Sequence, residues 1–539
     1  MTLPQEVKNI IEKLQEKGFE AYAVGGCVRD LLMDKKPKDW DITTNAIPEQ
    51  IQKIFPDSFY ENKFGTVTVK IQNSKFISSL ASLDVSRSGQ PSSWKEEDEG
   101  GVGNSDRTEE EISEVEVTTY RVDAKYTDKR HPDSVSFTGN LREDLARRDF
   151  TINALALDVK NVRHDGNVRD EGNQAKRSIK RSDLSNLTII DPFCGQEDLK
   201  NKFIRAVGEP EERFSEDALR MMRAVRFAVV LDFKIEEKTK KAIQRNAAWL
   251  QAIAKERIRD ELEKIIMSDR PDEGILLLHE LGLLEYVVPE LEKGVGVAQN
   301  RHHIFTIFEH NIESIKFAAQ KKYNFVVRLA ALLHDIAKPQ AKRGEGPEST
   351  FYNHDLMGSR AAARILERLH FSREIIERVA NLIRNHMFVY DIGAVTEAGV
   401  RRLLRRVGPE NMEDLIALRV ADRLGSGVPK AQPYRLRHFQ YMVERVQYDA
   451  ISVKMLKING NDLMQILGIE PGPKIGAILD VLLAEVIEDP KLNTKDYLAE
   501  RVGKLNEMDL SQLRQMAKEK IEEKKEEEDK IIKNKYWVE

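Results

Sequence analysis

Sequence patterning changes character partway along this chain, and that change limits the available folds more than any other feature. Residues 1 to about 160 mix helical periodicity with short β-branched runs such as "GTVTVKI" and "VEVTTYRV". From about 196 onward strand signals nearly vanish, and the remainder reads as helices. The expected class is α+β: a small head with a mixed β-sheet, then an all-α neck, a further helical domain and a helical tail. At 539 residues the chain exceeds one ordinary core, so three or four domains or subdomains are expected. Two stretches interrupt the pattern. Residues 74–114 are rich in Ser, Gly and acidic residues and read as a disordered insertion between two strands; 160–186 are similar but basic. The end, "AKEKIEEKKEEEDKIIKNKYWVE", reads as a charged helix or a disordered end, and its composition favours disorder.

Composition removes several function classes. No apolar run approaches the ~20 residues of a membrane span. The start, "MTLPQEVKNIIEKLQEKGFE", has an amphipathic helical pattern with acidic residues and lacks the features of a signal peptide. Two cysteines, Cys27 and Cys194, make neither a disulfide framework nor a four-thiolate zinc site, so a reducing cytoplasm is the expected home. A net charge of -5 argues against a general basic coat for nucleic acid but leaves room for a local basic groove.

Chemistry concentrates first in "AYAVGGCVRDLLMDKKPKDWDITT" (21–44). A strand ending in Gly25 and Gly26 frees backbone N–H groups for close approach to phosphates. Asp39 and Asp41 are two apart, which on a strand puts both carboxylates on one face, as a hard divalent cation such as Mg²⁺ requires; an isolated pair of this kind is also common in solvent-facing turns. Glu116 in "EVEVTTYR" supplies a third carboxylate, with Glu114 or a plain exposed strand residue as alternatives. Arg147, Arg148 and Asp149 in "LARRDFTINALALD" suit triphosphate oxygens and a ribose hydroxyl. "DPFCGQEDL" and "FSEDALRMMRAVRFA" follow in order.

This series, over about 20–230, resembles the class II tRNA nucleotidyltransferases, the CCA-adding enzymes and their poly(A) polymerase relatives in the DNA polymerase β superfamily. The resemblance implies that Asp39 and Asp41, with Glu116, form a two-Mg²⁺ polymerase-type site, and that Gly25, Gly26, Arg29, Arg147 and Arg148 contact the triphosphate. Asp149 would meet the ribose. Glu216 would orient Asp217 and Arg220, which would read the base edge of CTP or ATP as a protein template. Asp217 and Arg220 are three apart, a spacing that shares a helical face; an ordinary helical salt bridge is the alternative. Residues 122–139, "VDAKYTDKRHPDSVSFTG", resemble the flexible loop of members able to add the terminal A. "ENKFGTVTVKI", where poly(A) polymerases carry a basic "GRRF", favours tRNA end repair over polyadenylation.

A second constellation comprises His310 in "FEHN", His334 and Asp335 in "LAALLHDIAKP", His354 in "FYNHDLMG", His386 in "LIRNHMF" and Asp422 in "RVADRLG". A His-Asp pair inside an apolar helix is costly unless ligated or paired. The order resembles the HD-domain phosphohydrolases in their two-metal form, which implies a site for Mn²⁺, Fe²⁺, Co²⁺ or Ni²⁺ acting on a 2′,3′-cyclic or terminal phosphate of RNA. Some nucleotidyltransferases carry such helical bodies as scaffold.

Domain expectations follow: a nucleotidyltransferase head at 1–160, an insertion and connection at 161–195, and a base-recognition neck at 196–295. An HD domain at 296–430, a tRNA-binding tail at 431–510 and a charged end at 511–539 complete the chain. Arg401, Arg402, Arg405 and Arg406 in "VRRLLRRVG" form a basic stripe, and 456–502 resemble the RNA-contacting C-terminal segment of bacterial CCA-adding enzymes. The expected partners are tRNA, CTP and ATP, with no membrane. An A-only enzyme or poly(A) polymerase is the alternative, and a non-catalytic RNA-binding scaffold the alternative of another class.

Overall fold

The computed structural model describes residues 3–60, 65–71, 114–123, 135–159, 187–300, 304–427, 433–448 and 456–538. The chain forms two compact units, Met1–Val287 and Val288–Glu539. The expected insertions at 74–114 and 160–186 fall outside the described residues, except that Glu114 opens a strand.

The first unit holds a mixed sheet. Its strands are β1 (Ala21–Val24), β2 (Asp41–Thr44), β3 (Ser58–Tyr60), β4 (Thr66–Lys70), β5 (Glu114–Thr119), β8 (Ala156–Val159) and β9 (Leu187–Ile190), while β6 (Arg121–Asp123) and β7 (Val135–Phe137) form a separate hairpin. The sheet order is β3-β4-β5-β2-β1-β8-β9, with β2 and β5 parallel and the other pairs antiparallel. The β6–β7 hairpin flanks the centre of the 122–139 loop, whose residues 124–134 lie outside the described set.

Helix α1 (Gln5–Glu16) carries Val7, Ile10, Ile11 and Leu14 on one stripe and buries them against Ile42, Val67, Val69, Val115 and Val117. Each such side chain, fully buried, contributes roughly 1.5–3 kcal/mol, so this face of the sheet is committed to the core. Strand alternation then turns Asp41, Thr68 and Glu116 to the opposite face. There α4 (Leu141–Ala146) packs Leu145 against Val24 and Ala156, covering β1 and β8. Helices α2 (Gly26–Leu32) and α3 (Pro48–Ile54) complete the head. Beyond it come α5 (Pro210–Glu216), α6 (Leu219–Leu231) and α7 (Lys255–Ile266).

Among its described residues the second unit's regular elements are all helices, with an isolated bridge between Arg343 and Thr350. The helices used below are α8 (Ile307–Gln320), α9 (Phe325–Leu333), α10 (His354–Arg368), α11 (Arg373–Asn385), α12 (Glu397–Val407), α13 (Met412–Gly425), α14 (Tyr434–Tyr448) and α15 (Leu510–Tyr536). Disorder was the expectation for the charged end, and α15 overturns it. Asp509 caps α15 by accepting from Ser511 N at 2.7 Å and Gln512 N at 3.0 Å. Partners on α14, far away in sequence, then hold its last turns: Lys535 pairs with Glu444 at 2.9 Å and the Tyr441 hydroxyl donates to Asp529. Among the described residues no helix is long and apolar enough to cross a membrane.

Candidate active site and metal centre

Strand β1 runs into Gly25, whose φ of +78° favours glycine. A Cβ there would lie 2.9 Å from Arg148 Nη1 and 3.7 Å from Asp41 Oδ2, so the backbone, the guanidinium and the carboxylate converge on one spot. Gly26 begins α2, and Arg29 on that helix donates to Asn153 Oδ1 at 2.8 Å.

Only Asp41 of the aspartate pair lies on a strand, because β2 begins there and Asp39 precedes it in a bend. Alternation still operates: Trp40 is buried in the core, while Asp39 is exposed and Asp41 half-buried. Parallel pairing sets Asp41 beside Glu116, whereas Glu114 stands opposite Lys70, so the register selects Glu116 from the two candidates. Burial pushes the Asp41 carboxyl up, Arg148 opposes this, and Asp39 adds to it. A carboxyl raised in this way, close to a second carboxylate, gains from a divalent cation. Among the described residues Asp39, Asp41 and Glu116 do not bring three ligand atoms within 4.8 Å of one another.

Asp144, missed from sequence, anchors both arginines. It accepts from Arg147 at 2.9 and 2.7 Å, from Arg148 at 3.5 Å and from Thr43 Oγ1 at 3.2 Å. Burial opposes its charge, but Arg148 and Arg147 hold it below the ordinary range. Asp149 is buried and accepts from Phe150 N at 2.8 Å, Asn153 Nδ2 at 3.0 Å and Arg223 Nε at 2.8 Å. Against the cost of burial, Arg223 and Asn153 hold its carboxyl down at about 2.

Asp217 and Arg220 do not share a helical face. Asp217 sits in the break between α5 and α6 with φ −141° and ψ 103°, and its Oδ1 accepts from Leu219 N at 3.1 Å. The Asp217–Arg220 salt bridge is replaced by other partners. Arg257 of α7 grips Asp217 at 3.2 and 2.7 Å, while Arg220 pairs with Glu216 at 2.6 Å and donates to Arg147 O at 2.9 Å. Arg257 lies 40 residues from Asp217, and nothing in local spacing signals the link. Arg257→Ala is expected to lower discrimination of CTP and ATP against UTP and GTP about tenfold or more, the effect also expected of Asp217→Ala. Comparing kcat/KM for the four triphosphates checks this; full discrimination in Arg257→Ala alongside loss in Asp217→Ala would leave Arg257 without a positioning role.

In the second unit six predicted side chains converge. His310 lies on α8, His334 caps the C-terminus of α9, Asp335 follows in the turn, His354 opens α10, His386 caps α11 and Asp422 lies on α13. The His-Asp pair therefore sits at a helix end rather than inside the helix, and that end turns both side chains toward the cluster. Gly425 lets α13 approach α8 closely: a Cβ there would stand 2.2 Å from Ser314 Oγ. Asp422, one turn earlier, reaches His310 at 3.3 Å.

Asp335 faces two groups. Its Oδ2 is 3.3 Å from His310 Nε2 and 3.4 Å from His334 Nε2, and its Oδ1 is 3.6 Å from His354 Nε2 and 4.0 Å from His386 Nε2. His334, His354 and His386 turn Nδ1 to the carbonyls of Ala331, Phe351 and Ile383 at 2.9, 2.7 and 2.7 Å, which aims Nε2 into the cluster, the orientation a ligating histidine would need. Asp335 Oδ1 and His354 Nε2 have no hydrogen-bond partner despite burial, while Asp335 Oδ2 is ion-paired with Lys338 Nζ at 2.6 Å. Burial opposes a charge on His334, yet Asp335 and Asp422 raise it to about 10, while burial and His334 lower His386 to about 3. Asp335 and Asp422 are held well below the carboxylate range. Lys338 beside Asp335 and Arg419 Nη1, 2.6 Å from Asp422 Oδ2, supply part of the counter-charge, and the remaining histidine and carboxylate donors form a set that fits transition-metal ions. Lys338, also missed from sequence, is buried 2.6 Å from Asp335 Oδ2 and donates to Gln299 at 2.7 Å. Its signal was a lysine three residues after the pair in an apolar stretch.

Three family patterns match: "Poly A polymerase head domain" over 21–100 and 89–205, "Probable RNA and SrmB- binding site of polymerase A" over 232–294, and "tRNA nucleotidyltransferase domain 2 putative" over 354–502. The chain is 32% identical to a CCA-adding enzyme of Ligilactobacillus salivarius over 94% of its own length and 98% of the relative's. It is 34% identical to an A-adding tRNA nucleotidyltransferase of Deinococcus radiodurans, over 65% of this chain and 76% of that one. The fold is similar to the crystal structure of a Bacillus stearothermophilus CCA-adding enzyme in complex with CTP, at 26% identity and a TM-score of 0.54, covering 94% of this chain and 98% of the other. Nucleotidyltransferases of this family use divalent metal ions. With a poly(A) polymerase-type head and a full-length relative of that kind, this chain belongs to the CCA-adding enzymes, the tRNA nucleotidyltransferases.

Proposed function

We propose that the protein adds C, C and A in turn to the 3′ end of tRNA from CTP and ATP, with no nucleic-acid template. The observation that carries this reading is the strand register that sets Asp41 beside Glu116, with Arg148 and Gly25 against Asp41. Asp39, Asp41 and Glu116 would hold Mg²⁺, which when bound activates the RNA 3′-hydroxyl and offsets charge on the leaving pyrophosphate. Gly25, Gly26, Arg29, Arg147 and Arg148 orient the triphosphate. Asp149, fixed by Arg223, accepts from the ribose hydroxyl. Asp217 offers acceptors and Arg220 donors to the base edge, each held by its own partner, Arg257 or Glu216.

The A-adding relative keeps a second reading open, in which only the final A is added. Transcripts lacking CCA, ending in one C and ending in both, each given one nucleotide at a time, separate the two. CMP on the first two and AMP on the third is the expected result. AMP on the third alone makes this an A-adding enzyme, runs of A on any RNA a poly(A) polymerase, and no addition a scaffold.

The histidine centre supports a further activity, a metal-dependent phosphohydrolase of the HD type. Asp335 with its oxygens turned to two histidine groups is what favours two ions held by His310, His334, Asp335, His354, His386 and Asp422. Such ions supply an activated water for attack on a phosphoester. Arg401, Arg402, Arg405 and Arg406 are all exposed on α12, which suits an RNA backbone. Arg401 pairs with Glu397 and Arg406 donates to Asn385, next to His386.

A further inference from the structure

One row of the head sheet extends past the carboxylates. Register pairs Asp41 with Glu116, Glu116 with Thr68, and Thr68 with Phe59. Paired residues on neighbouring strands share a face, so these four side chains stand in one line across β2, β5, β4 and β3. At roughly 4.8 Å per strand the line reaches roughly 14 Å from Asp41. Gly25 and Gly26 follow β1, on the other side of β2.

The two outer members are not explained by core packing. Thr68 is 3% exposed, and its Oγ1 has no hydrogen-bond partner, whereas its neighbours on the same face, Thr66 and Thr118, bond each other at 3.3 Å. A buried hydroxyl of this kind ordinarily has a partner. Phe59, on the edge strand, is 38% exposed, with Lys70 Nζ 5.4 Å from its ring centroid.

We propose that this line seats the 3′-terminal nucleotide of the acceptor RNA, with Thr68 Oγ1 bonding its ribose-phosphate and Phe59 stacking on its base. The inference rests on the nucleotidyl-transfer reading above. In-line displacement puts the attacking hydroxyl opposite the leaving pyrophosphate. A triphosphate on the Gly25–Arg29 side of Asp41 therefore leaves the β5–β4 side to the acceptor. Stacking on a phenyl ring tolerates any base, which suits an acceptor whose last base changes with each addition. Lys70 beside the ring adds positive charge for the backbone.

The test measures KM for tRNA and for CTP separately, after parent enzyme has been shown to add nucleotides; a parent that adds none fails the underlying reading, and this one with it. Thr68→Val keeps the branched shape and removes the hydroxyl; Phe59→Leu, at an exposed position, removes the ring. Each is expected to raise the tRNA KM about tenfold while leaving the CTP KM within about threefold, with Thr68→Ser and Phe59→Tyr near parent. An acceptor with an abasic terminal residue should bind parent and Phe59→Leu equally poorly. With active parent, unchanged tRNA KM in both variants, or a rise confined to CTP, overturns the assignment. Thermal melting of each variant separates these effects from loss of fold.

Discussion

Asp41→Asn is expected to lower nucleotide addition by a factor on the order of 10³ or more, about 4 kcal/mol of transition-state stabilisation, with tRNA affinity within a few-fold of parent. The side chain is half-buried against Arg148 and Gly25, and the amide keeps its volume while removing the charge that a cation needs. Asp39→Asn should behave similarly, although its exposed position makes it the less constrained ligand. Single-turnover addition with CTP, alongside filter binding of tRNA, checks both. Addition at near-parent rate by either variant would remove the metal site from that position, and parallel loss of tRNA binding would assign the residue to the fold or to RNA contact.

Asp335→Ala is expected to empty the histidine centre of transition metal and to stop hydrolysis of 2′,3′-cyclic phosphates or a generic phosphoester by more than about 100-fold. Nucleotide addition should persist, because the head carboxylates belong to the other compact unit. Asp335 faces both histidine groups, so its removal takes a carboxylate oxygen from each. Metal uptake by the parent should also respond to pH. Although burial opposes it, the two carboxylates favour the protonated form of His334, and an ion must compete with that proton. Apparent affinity should therefore increase as pH rises from about 6 to about 8, with release of protons on binding. Metal analysis and calorimetry in buffers of different ionisation enthalpy read these effects. Full metal content in Asp335→Ala, or a metal-loaded parent that hydrolyses nothing, would reduce the centre to scaffold; loss of addition with loss of metal would show structural coupling between the units.

Order of motifs along the chain carried most of what was legible. "VGG", "DWD", "RRD" and "EDALR" are local patterns, each set by a glycine at a strand end, an alternation around Trp40 or a turn between helices. The six clustered side chains of the second unit were legible for the same reason: each occupies a helix end or face that its immediate neighbours specify. Long-range pairing was not legible. Glu116 and Glu114 have the same local pattern, and only the register against β2 and β4 separates them. Spacing alone suggested that Asp217 and Arg220 met on a helix; a break at Asp217 and a guanidinium 40 residues away decided otherwise.

The sequence by itself determined the change from mixed sheet to helix, the carboxylates and histidines available for metal, and the family, since composition, periodicity and short motifs are properties of neighbouring residues. Tertiary structure alone decided which partner holds each charge: Asp144 for Arg147 and Arg148, Arg223 for Asp149, Arg257 for Asp217, Lys338 for Asp335. It also ordered the charged end into α15 and drew Asp41, Glu116, Thr68 and Phe59 into one line. The reason is physical. A buried charge must find a counter-charge or hydrogen bonds within a few ångströms, and which residue comes that close depends on how distant elements pack.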